Sequence, residues 1–174
     1  MMMVVTGGSG SGKSEYAEDR TIQYSQDNRI YIATMVAFDE EARQKINRHR
    51  RMRREKNFTT IECYTGLNRL RLDASHTVLL DCMSNLVANE MYQEDGAGNH
   101  TVPCIVEGIH RLKQQVKNLI IVTNEVASDG IVYDEETMRY IRYLGEINQE
   151  LARMADEVIE VVYGIPVYCK KEGD

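Results

Sequence analysis

The sequence lacks any apolar run of the ~18 residues that a signal or membrane-spanning helix requires. Residues Met1 to Thr6 lead directly into a glycine-rich loop, with no charged segment before them. The chain has four cysteines, Cys63, Cys82, Cys104 and Cys169. No two of them form a C-x-x-C pair, which argues against a zinc site and against a disulfide framework. We therefore expect a cytoplasmic protein, without a membrane anchor, whose thiols are reduced and mostly buried.

Internal repeats, low-complexity tracts and interdomain linkers are also absent from the sequence. The chain has 174 residues, of which 43% are hydrophobic, so it is near the usual size of one domain. A chain of this size can bury a core without disulfides or metals. We expect residues 1–174 to form a single domain.

Net charge is distributed unevenly along the sequence. The formal net charge is -6, which argues against a general nucleic-acid binder. Between Arg43 and Lys56, however, eight cationic residues stand with one acid, so this segment carries +7 and the rest of the chain carries -13. So strong a local field predicts an anionic ligand at one place.

Short runs rich in Val and Ile alternate with segments of helical period. This pattern is typical of an α/β fold with a mostly parallel sheet covered by helices on both faces. The candidate strands are Met2 to Thr6, Arg29 to Thr34, Thr77 to Asp81, Leu119 to Thr123 and Glu157 to Val162, with a further edge strand near Pro166 to Cys169.

The clearest predicted helix runs from about Asp134 to Ala155. Its apolar residues recur at steps of three or four and predict one buried stripe. The stripe consists of Met138, Ile141, Leu144, Ile147, Leu151 and Met154. Residues Glu90 to Pro103, which include two glycines, best fit a loop.

An eight-residue motif follows the first candidate strand and matches G-x-x-x-x-G-K-[ST]. It consists of Gly7, Gly8, Ser9, Gly10, Ser11, Gly12, Lys13 and Ser14. Glycines let the backbone curl so that several amides point at one phosphate, and a helix starting near Lys13 adds partial positive charge. Lys13 would reach the β- and γ-phosphates, and the Ser14 hydroxyl would bind Mg²⁺. The motif predicts a P-loop NTPase-type fold, against the alternative of a simple strand-to-helix turn.

A P-loop also needs an acid to hold the magnesium shell. Asp81 follows a buried candidate strand, which is the usual position of this acid. The alternative is that Asp81 is a turn residue or a helix cap. Thr123, Asn124 and Glu125 follow the next candidate strand, and we assign them to pocket lining only.

One histidine, His49, lies inside the basic segment. Because neighbouring positive charge disfavours the imidazolium, His49 is expected to be neutral at pH 7 and free to attack phosphorus. The arginines beside it would neutralise charge that develops on phosphate oxygens. The alternative is a solvated, charged helix face on which His49 has no role.

Eight sequence blocks together resemble one enzyme family. They are Val5-Thr6-Gly7-Gly8, Tyr31-Ile32-Ala33-Thr34, Ile46-x-x-His49-Arg50, Thr60-x-Glu62, Leu79-Leu80-Asp81-Cys82 with Asn89, Val122-Thr123-Asn124-Glu125-Val126, Asn148-Gln149-x-Leu151-Ala152 and Ala155-Asp156-Glu157-Val158. In this order and spacing, over nearly the whole chain, they resemble the bifunctional adenosylcobinamide kinase/adenosylcobinamide-phosphate guanylyltransferases of cobalamin synthesis.

The resemblance implies two reactions: phosphorylation of a corrinoid hydroxyl by ATP or GTP, and transfer of GMP from GTP to the resulting phosphate. It implies that His49 becomes guanylylated, since a phosphoramidate keeps the transfer potential of the cleaved anhydride. The residues that it places at the GTP site are Ala33, Thr34, Met35, Arg50, Arg51, Met52 and Arg53, completed by Glu62 and Asp81. It also implies a homotrimer.

Two other functions compete with this interpretation. One is a small-molecule P-loop kinase in which the arginine segment clamps phosphates and His49 is passive. The other is a nucleotide-gated module that holds RNA or an acidic partner through Arg43 to Lys56. Since no aromatic residue lies between Ala42 and Lys56 to stack on bases, the sequence favours this last hypothesis least. The N-K-x-D guanine motif is absent, so only the family resemblance points to GTP.

Overall fold

The computed structural model describes residues 1–37, 44, 46–47, 55–126, 133–171 and 173. Most of the basic segment between Arg43 and Lys56 lies outside the described residues. Five residues of the predicted site also lie outside them. These are His49, Arg50, Arg51, Met52 and Arg53.

The described strands form one seven-stranded sheet. They are β1 (Met2–Thr6), β2 (Arg29–Ala33), β3 (Phe58–Glu62), β4 (Thr77–Asp81), β5 (Asn118–Val122), β6 (Glu157–Val162) and β7 (Ile165–Lys170). Their order across the sheet is β3-β2-β4-β5-β1-β6-β7. All neighbouring pairs are parallel except β6 and β7. The predicted mostly parallel sheet is therefore confirmed.

The helices of the described chain cover both faces of this sheet. They are α1 (Lys13–Tyr24), α2 (Met83–Tyr92), α3 (Thr101–Gln115) and α4 (Glu135–Met154). On one face, α1 packs through Ala17 against buried residues such as Leu79 and Ile120. On the other, α2, α3 and α4 pack against buried residues such as Leu80 and Ile121. Successive strand residues thus alternate between two cores. That residues 1–174 form a single domain stays a prediction.

The strand predictions were close, but one strand was missed. The predicted strand Arg29 to Thr34 ends at Ala33, and the predicted Leu119 to Thr123 runs from Asn118 to Val122. β3 had no prediction, because only its first residue, Phe58, is buried and the strand carries polar residues. As the edge of the sheet beyond β2, it has no need of a continuous apolar run.

The loop predicted for Glu90 to Pro103 was wrong at both ends, since α2 continues to Tyr92 and α3 begins at Thr101. Pro103 lies in the first turn of α3, where the missing amide hydrogen removes no helical hydrogen bond. Glu90 is buried, and its carboxylate oxygens accept from the Gly66 amide at 2.7 Å and the Ala97 amide at 2.9 Å. Glu90 thus joins two backbone segments, but in the sequence it cannot be told from an exposed polar residue of a loop.

The long helix α4 was predicted correctly, but not its whole stripe. Asp134 caps it by accepting from the amides of Glu136 and Thr137 at 3.0 Å. Three residues of the stripe are fully buried, namely Leu144, Ile147 and Leu151. Met138 is 47% exposed, which corrects that part of the prediction. A 20-residue helix is about 30 Å long, so its first turns extend past the five-residue strands.

The four cysteines are unpaired, as predicted, but they are not mostly buried. Only Cys63 is buried; Cys82 and Cys104 are intermediate, and Cys169 is exposed. The exposure of Cys169 follows from its place in β7, the strand at the edge of the sheet beyond β6. Within the described residues, no helix is both long and apolar enough to cross a membrane.

Candidate functional site

The loop between β1 and α1 has the backbone that a phosphate cradle requires. Gly7 has a φ of 145°, and a Cβ placed there would lie 2.5 Å from the Val161 carbonyl oxygen and 2.7 Å from Ser11 Oγ. No other residue type fits without displacing these atoms. Gly12 is the N-cap of α1, with a φ of 91° and no side-chain cap. The first amides of α1 therefore remain open to an anion.

Two side chains complete the loop. Lys13 is only 9% exposed, and its ammonium donates to the Gly8 carbonyl at 2.9 Å, so the charge lies across the loop. The Ser11 hydroxyl is buried and has no hydrogen-bond partner in the described part of the chain. A buried, unsatisfied hydroxyl in native structure points to a ligand or water that it serves. Ser14 follows Lys13 in the first turn of α1.

The turn between β6 and β7 supports this loop from outside. The Gly164 amide donates to the Ser11 carbonyl at 2.8 Å. The Val161 carbonyl oxygen lies against Gly7 from the same side. Sequence reasoning missed this contact, because a turn some 150 residues from the motif carries no signal of proximity.

Three predicted site residues lie in one row across neighbouring strands. Ala33 of β2 is level with Glu62 of β3 on one side and with Asp81 of β4 on the other. Because parallel strands end at the same edge, all three reach the edge that carries the P-loop. Strands are about 4.8 Å apart, so Glu62 and Asp81 start about 10 Å from each other. Glu62 is exposed and Asp81 is half-buried.

Asp81 is held by a residue that sequence reasoning did not single out. The Tyr31 hydroxyl donates to Asp81 Oδ2 at 2.9 Å. Both side chains lie on the α1 face, since Tyr31 is level with Leu79, two residues before Asp81. The N-cap of α2 is Cys82, so Asp81 is not the helix cap of the alternative interpretation. The available signal was a tyrosine in a strand otherwise built from aliphatic residues and arginine.

Thr34 connects the end of β2 to α2 and its N-cap residue through hydrogen bonds. Its hydroxyl donates to the Cys82 carbonyl at 2.8 Å and accepts from the Cys82 amide at 2.9 Å. Its own carbonyl accepts from Asn89 Nδ2 at 2.8 Å. Thr34 is fully buried, whereas Met35 is 38% exposed. Of these two predicted GTP contacts, only Met35 presents a side chain to solvent.

A second polar network follows β5, which lies between β1 and β4. The Thr123 hydroxyl donates to Asn148 Oδ1 at 2.7 Å, and Asn124 Nδ2 donates to Ser84 Oγ at 2.5 Å. Asn124 therefore stands between the P-loop strand and the Asp81 strand, with its amide oriented by α2. Burial raises the pKa of Cys82 beside it, so this thiol stays neutral at pH 7 and is a poor metal ligand.

The described residues fit Mg²⁺ better than a metal whose ligands must all be protein side chains. Among them, no group of three or more His, Cys, Asp and Glu side chains could hold a metal ion. Mg²⁺ is usually held by one or two protein oxygens together with phosphate oxygens and water. Asp81 and the Ser14 hydroxyl supply such oxygens at the edge where a triphosphate would lie.

A family model described as cobinamide kinase / cobinamide phosphate guanyltransferase matches residues 3–169. The bifunctional adenosylcobalamin biosynthesis protein CobU of Escherichia coli is 34% identical over 98% of this chain and 100% of its own length. Its namesake in Salmonella typhimurium is 33% identical over 98% of this chain and 100% of its own length.

Similarity to solved structures supports the fold. An ATPase domain superposes with a TM-score of 0.57 and 14% identity, covering 99% of this chain and 77% of that one. At this identity the similarity shows the fold alone. The family model and the two relatives carry the classification: the chain belongs to the cobinamide kinase / cobinamide phosphate guanyltransferase family.

Proposed function

We propose that this protein phosphorylates adenosylcobinamide with ATP or GTP, and then transfers GMP from GTP to the product, giving adenosylcobinamide-GDP. The observation that carries the proposal is the arrangement of the P-loop, Asn124 and Asp81 along one edge of the sheet, in a chain of this family. The two reactions differ in their leaving group, which is a nucleoside diphosphate in the first and pyrophosphate in the second.

In the kinase step, the loop amides and Lys13 bind the β- and γ-phosphates. Ser14 and Asp81 would hold Mg²⁺, which supplies neutralisation of the charge on the phosphate oxygens. Tyr31 keeps one Asp81 oxygen oriented. Asn124, whose Nδ2 donates to Ser84 and to Cys82, lines the pocket at the end of β5, between the strands that carry the P-loop and Asp81.

In the transfer step, a neutral His49 imidazole attacks the α-phosphorus of GTP. A nitrogen-phosphorus bond forms, the bond from the α-phosphorus to the bridging oxygen breaks, and pyrophosphate leaves along the P-loop. A phosphate oxygen of the corrinoid then attacks the same phosphorus and releases the imidazole. We propose that Ala33, Thr34, Met35, Glu62 and the arginine segment with Arg50, Arg51, Met52 and Arg53 position the guanosine part of GTP.

Incubation with α-labelled GTP and Mg²⁺ tests this mechanism. The parent chain should retain label after denaturing electrophoresis when no corrinoid phosphate is present, and the label should be acid-labile and alkali-stable. His49→Ala should lose the label and GMP transfer while still phosphorylating the corrinoid, since γ-phosphoryl transfer has no need of an imidazole. His110→Ala, at an exposed histidine of α3, is the matched control and should label like the parent.

Two results would contradict the guanylyl-histidine. One is undiminished labelling of His49→Ala. The other is a parent chain that phosphorylates the corrinoid but takes up no α-label, which leaves the plain kinase with a passive His49.

We also propose a cytoplasmic homotrimer. The hairpin of β6 and β7 supports association, because it ends the sheet and exposes large apolar side chains. These are Val162, Tyr163, Ile165, Val167 and Tyr168, of which Tyr163 is 92% exposed. Light scattering should give three chains for the parent and one chain for Ile165→Asp/Val167→Asp. A monomeric parent at micromolar concentration would contradict the proposal.

A further inference from the structure

A cavity outside the phosphate-binding loop opens beside the carboxyl end of β2, on the face of the sheet opposite α1. Its volume is about 320 Å³. Met35 and Val36 form one wall, and α2 forms the other. Met35 lines this cavity and also belongs to the predicted GTP site. The cavity therefore adjoins the edge that carries the P-loop and Asp81, but it is not part of the phosphate cradle.

Three side-chain amides line the α2 wall of the cavity, those of Asn85, Asn89 and Gln93. Asn85 and Asn89 lie on the same face of α2, since they are four residues apart on a helix, and Gln93 is the residue that caps the end of α2. Asn89 Nδ2 donates to the Thr34 carbonyl, which fixes the middle amide to the end of β2. The side-chain amides of Asn85 and Gln93 make no hydrogen bond to any residue that the structure describes, so they are available to a ligand.

An apolar stripe runs beside these amides. Ala88 and Tyr92 are four residues apart on α2, and Met35 and Val36 face them. Within the described part of the chain, no charged residue lines the cavity. A neutral wall of amides and apolar groups binds a neutral, amide-bearing ligand better than a phosphate or a carboxylate.

The geometry of phosphoryl transfer sets the side from which an acceptor must approach. In an in-line displacement, the attacking and leaving oxygens stand on opposite sides of the phosphorus. The leaving phosphate is held by the loop at the start of α1, and Asp81 points to the α1 face. An acceptor on the α2 side of the strand ends, where this cavity lies, would stand across the strand ends from that loop.

We propose that this cavity binds one edge of the corrinoid acceptor, with Asn85 and Gln93 hydrogen-bonding its peripheral carboxamides and Ala88 and Tyr92 contacting the rim of the macrocycle. The assignment rests on the proposed function, because the family description names a cobinamide as the substrate. A cobinamide displays neutral amides around a largely apolar ring, and its reactive hydroxyl ends one flexible arm. β2 lies three strands from β1, about 14 Å, which leaves such an arm room to extend toward the γ-phosphate.

Three variants of the full chain test the assignment by isothermal titration with adenosylcobinamide and, separately, with GTP. Ala88→Phe fills the cavity, and Asn85→Leu and Gln93→Leu each remove one amide. Each should raise the dissociation constant for adenosylcobinamide about tenfold and leave that for GTP within about twofold. Gln114→Leu, at an exposed glutamine of α3 outside the cavity, is the matched control and should bind both ligands like the parent.

Unchanged GTP affinity in the variants also shows that they are folded. A loss of GTP affinity with unchanged corrinoid affinity would place the nucleotide base in the cavity and overturn the assignment. Unchanged affinity for both ligands would overturn it as well. A parent chain that neither binds nor phosphorylates adenosylcobinamide would overturn the proposed function itself. The assignment of the cavity to the corrinoid would then fall as well, because it rests on that function.

Discussion

The two halves of the candidate site are built in different ways. The proposed phosphate half comes from eight consecutive residues between β1 and the start of α1, where the first helix amides are open to an anion. The other half is assembled from side chains on separate elements, namely Tyr31, Asp81, Ser84, Asn124 and Asn148. A contiguous motif can be recognised in sequence, whereas an assembled network depends on the fold around it. Changes in the first half should abolish binding, and changes in the second should reduce turnover.

Lys13→Ala should have the largest effect. It removes a buried cation from the loop, which both reactions need at the β- and γ-phosphates. We expect triphosphate binding to become undetectable by titration and both activities to fall by at least about 10³-fold. Lys117→Ala, at an exposed lysine just before β5, is the control and should bind like the parent. Binding of GTP by Lys13→Ala as tight as the parent's would remove the P-loop assignment.

A pair of glycine substitutions separates the loop backbone from the rest of the chain. Gly7→Ala should lose nucleotide binding and lower the midpoint of thermal unfolding, because the added Cβ meets the Val161 carbonyl oxygen at 2.5 Å. Gly145→Ala, inside α4 with open space at the Cβ position, should instead stabilise the fold by up to about 1 kcal/mol. Titration calorimetry measures the nucleotide affinity, and scanning calorimetry measures the midpoint of unfolding. Equal nucleotide affinity in the two variants would mean that the loop accommodates a Cβ at Gly7, against the geometry described above.

The assembled half should show smaller, graded effects. Asp81→Asn should lower magnesium-dependent turnover about 10²-fold without lowering thermal stability to a comparable degree. Tyr31→Phe removes only the hydroxyl that orients Asp81, so we expect a loss of about tenfold and a higher Mg²⁺ concentration for half-maximal rate. Turnover measured across a magnesium titration checks both. If Tyr31→Phe lowers stability but leaves the magnesium dependence unchanged, Tyr31 has only a structural role.

The sequence was sufficient for the fold class and for locating the glycine-rich loop between β1 and α1, whose role in phosphate binding stays a prediction. Buried parallel strands such as β4 and β5 are continuous apolar runs, and the P-loop motif is local. β3 was not predicted because an edge strand can be polar, and α2 and α3 were obscured by the glycines between them and by Pro103 in the first turn of α3.

The assembled half was only partly predictable. Asp81 could be chosen because it ends a buried strand, and Asn124 was assigned to pocket lining for the same reason. Their partners Tyr31 and Ser84 could not be identified, since these pairings are separated by 50 and 40 residues in the chain. Thr34 was expected at the GTP site by resemblance, and the structure gives its hydroxyl a different partner in Cys82. The predicted role of His49 stays a prediction.

The hydrogen bond from Gly164 to Ser11 makes the turn of the β6–β7 hairpin sensitive to what the loop holds. Because the turn is hydrogen-bonded to the loop, a bound phosphate that orders the loop is expected to order the turn, and an ordered turn to favour phosphate binding in return. The exchange of the Gly164 amide hydrogen with solvent should therefore slow as nucleotide binds. A turn far along the chain from the motif would thus report whether the loop is occupied, and if the hairpin also carries the proposed association, nucleotide binding and association should strengthen each other.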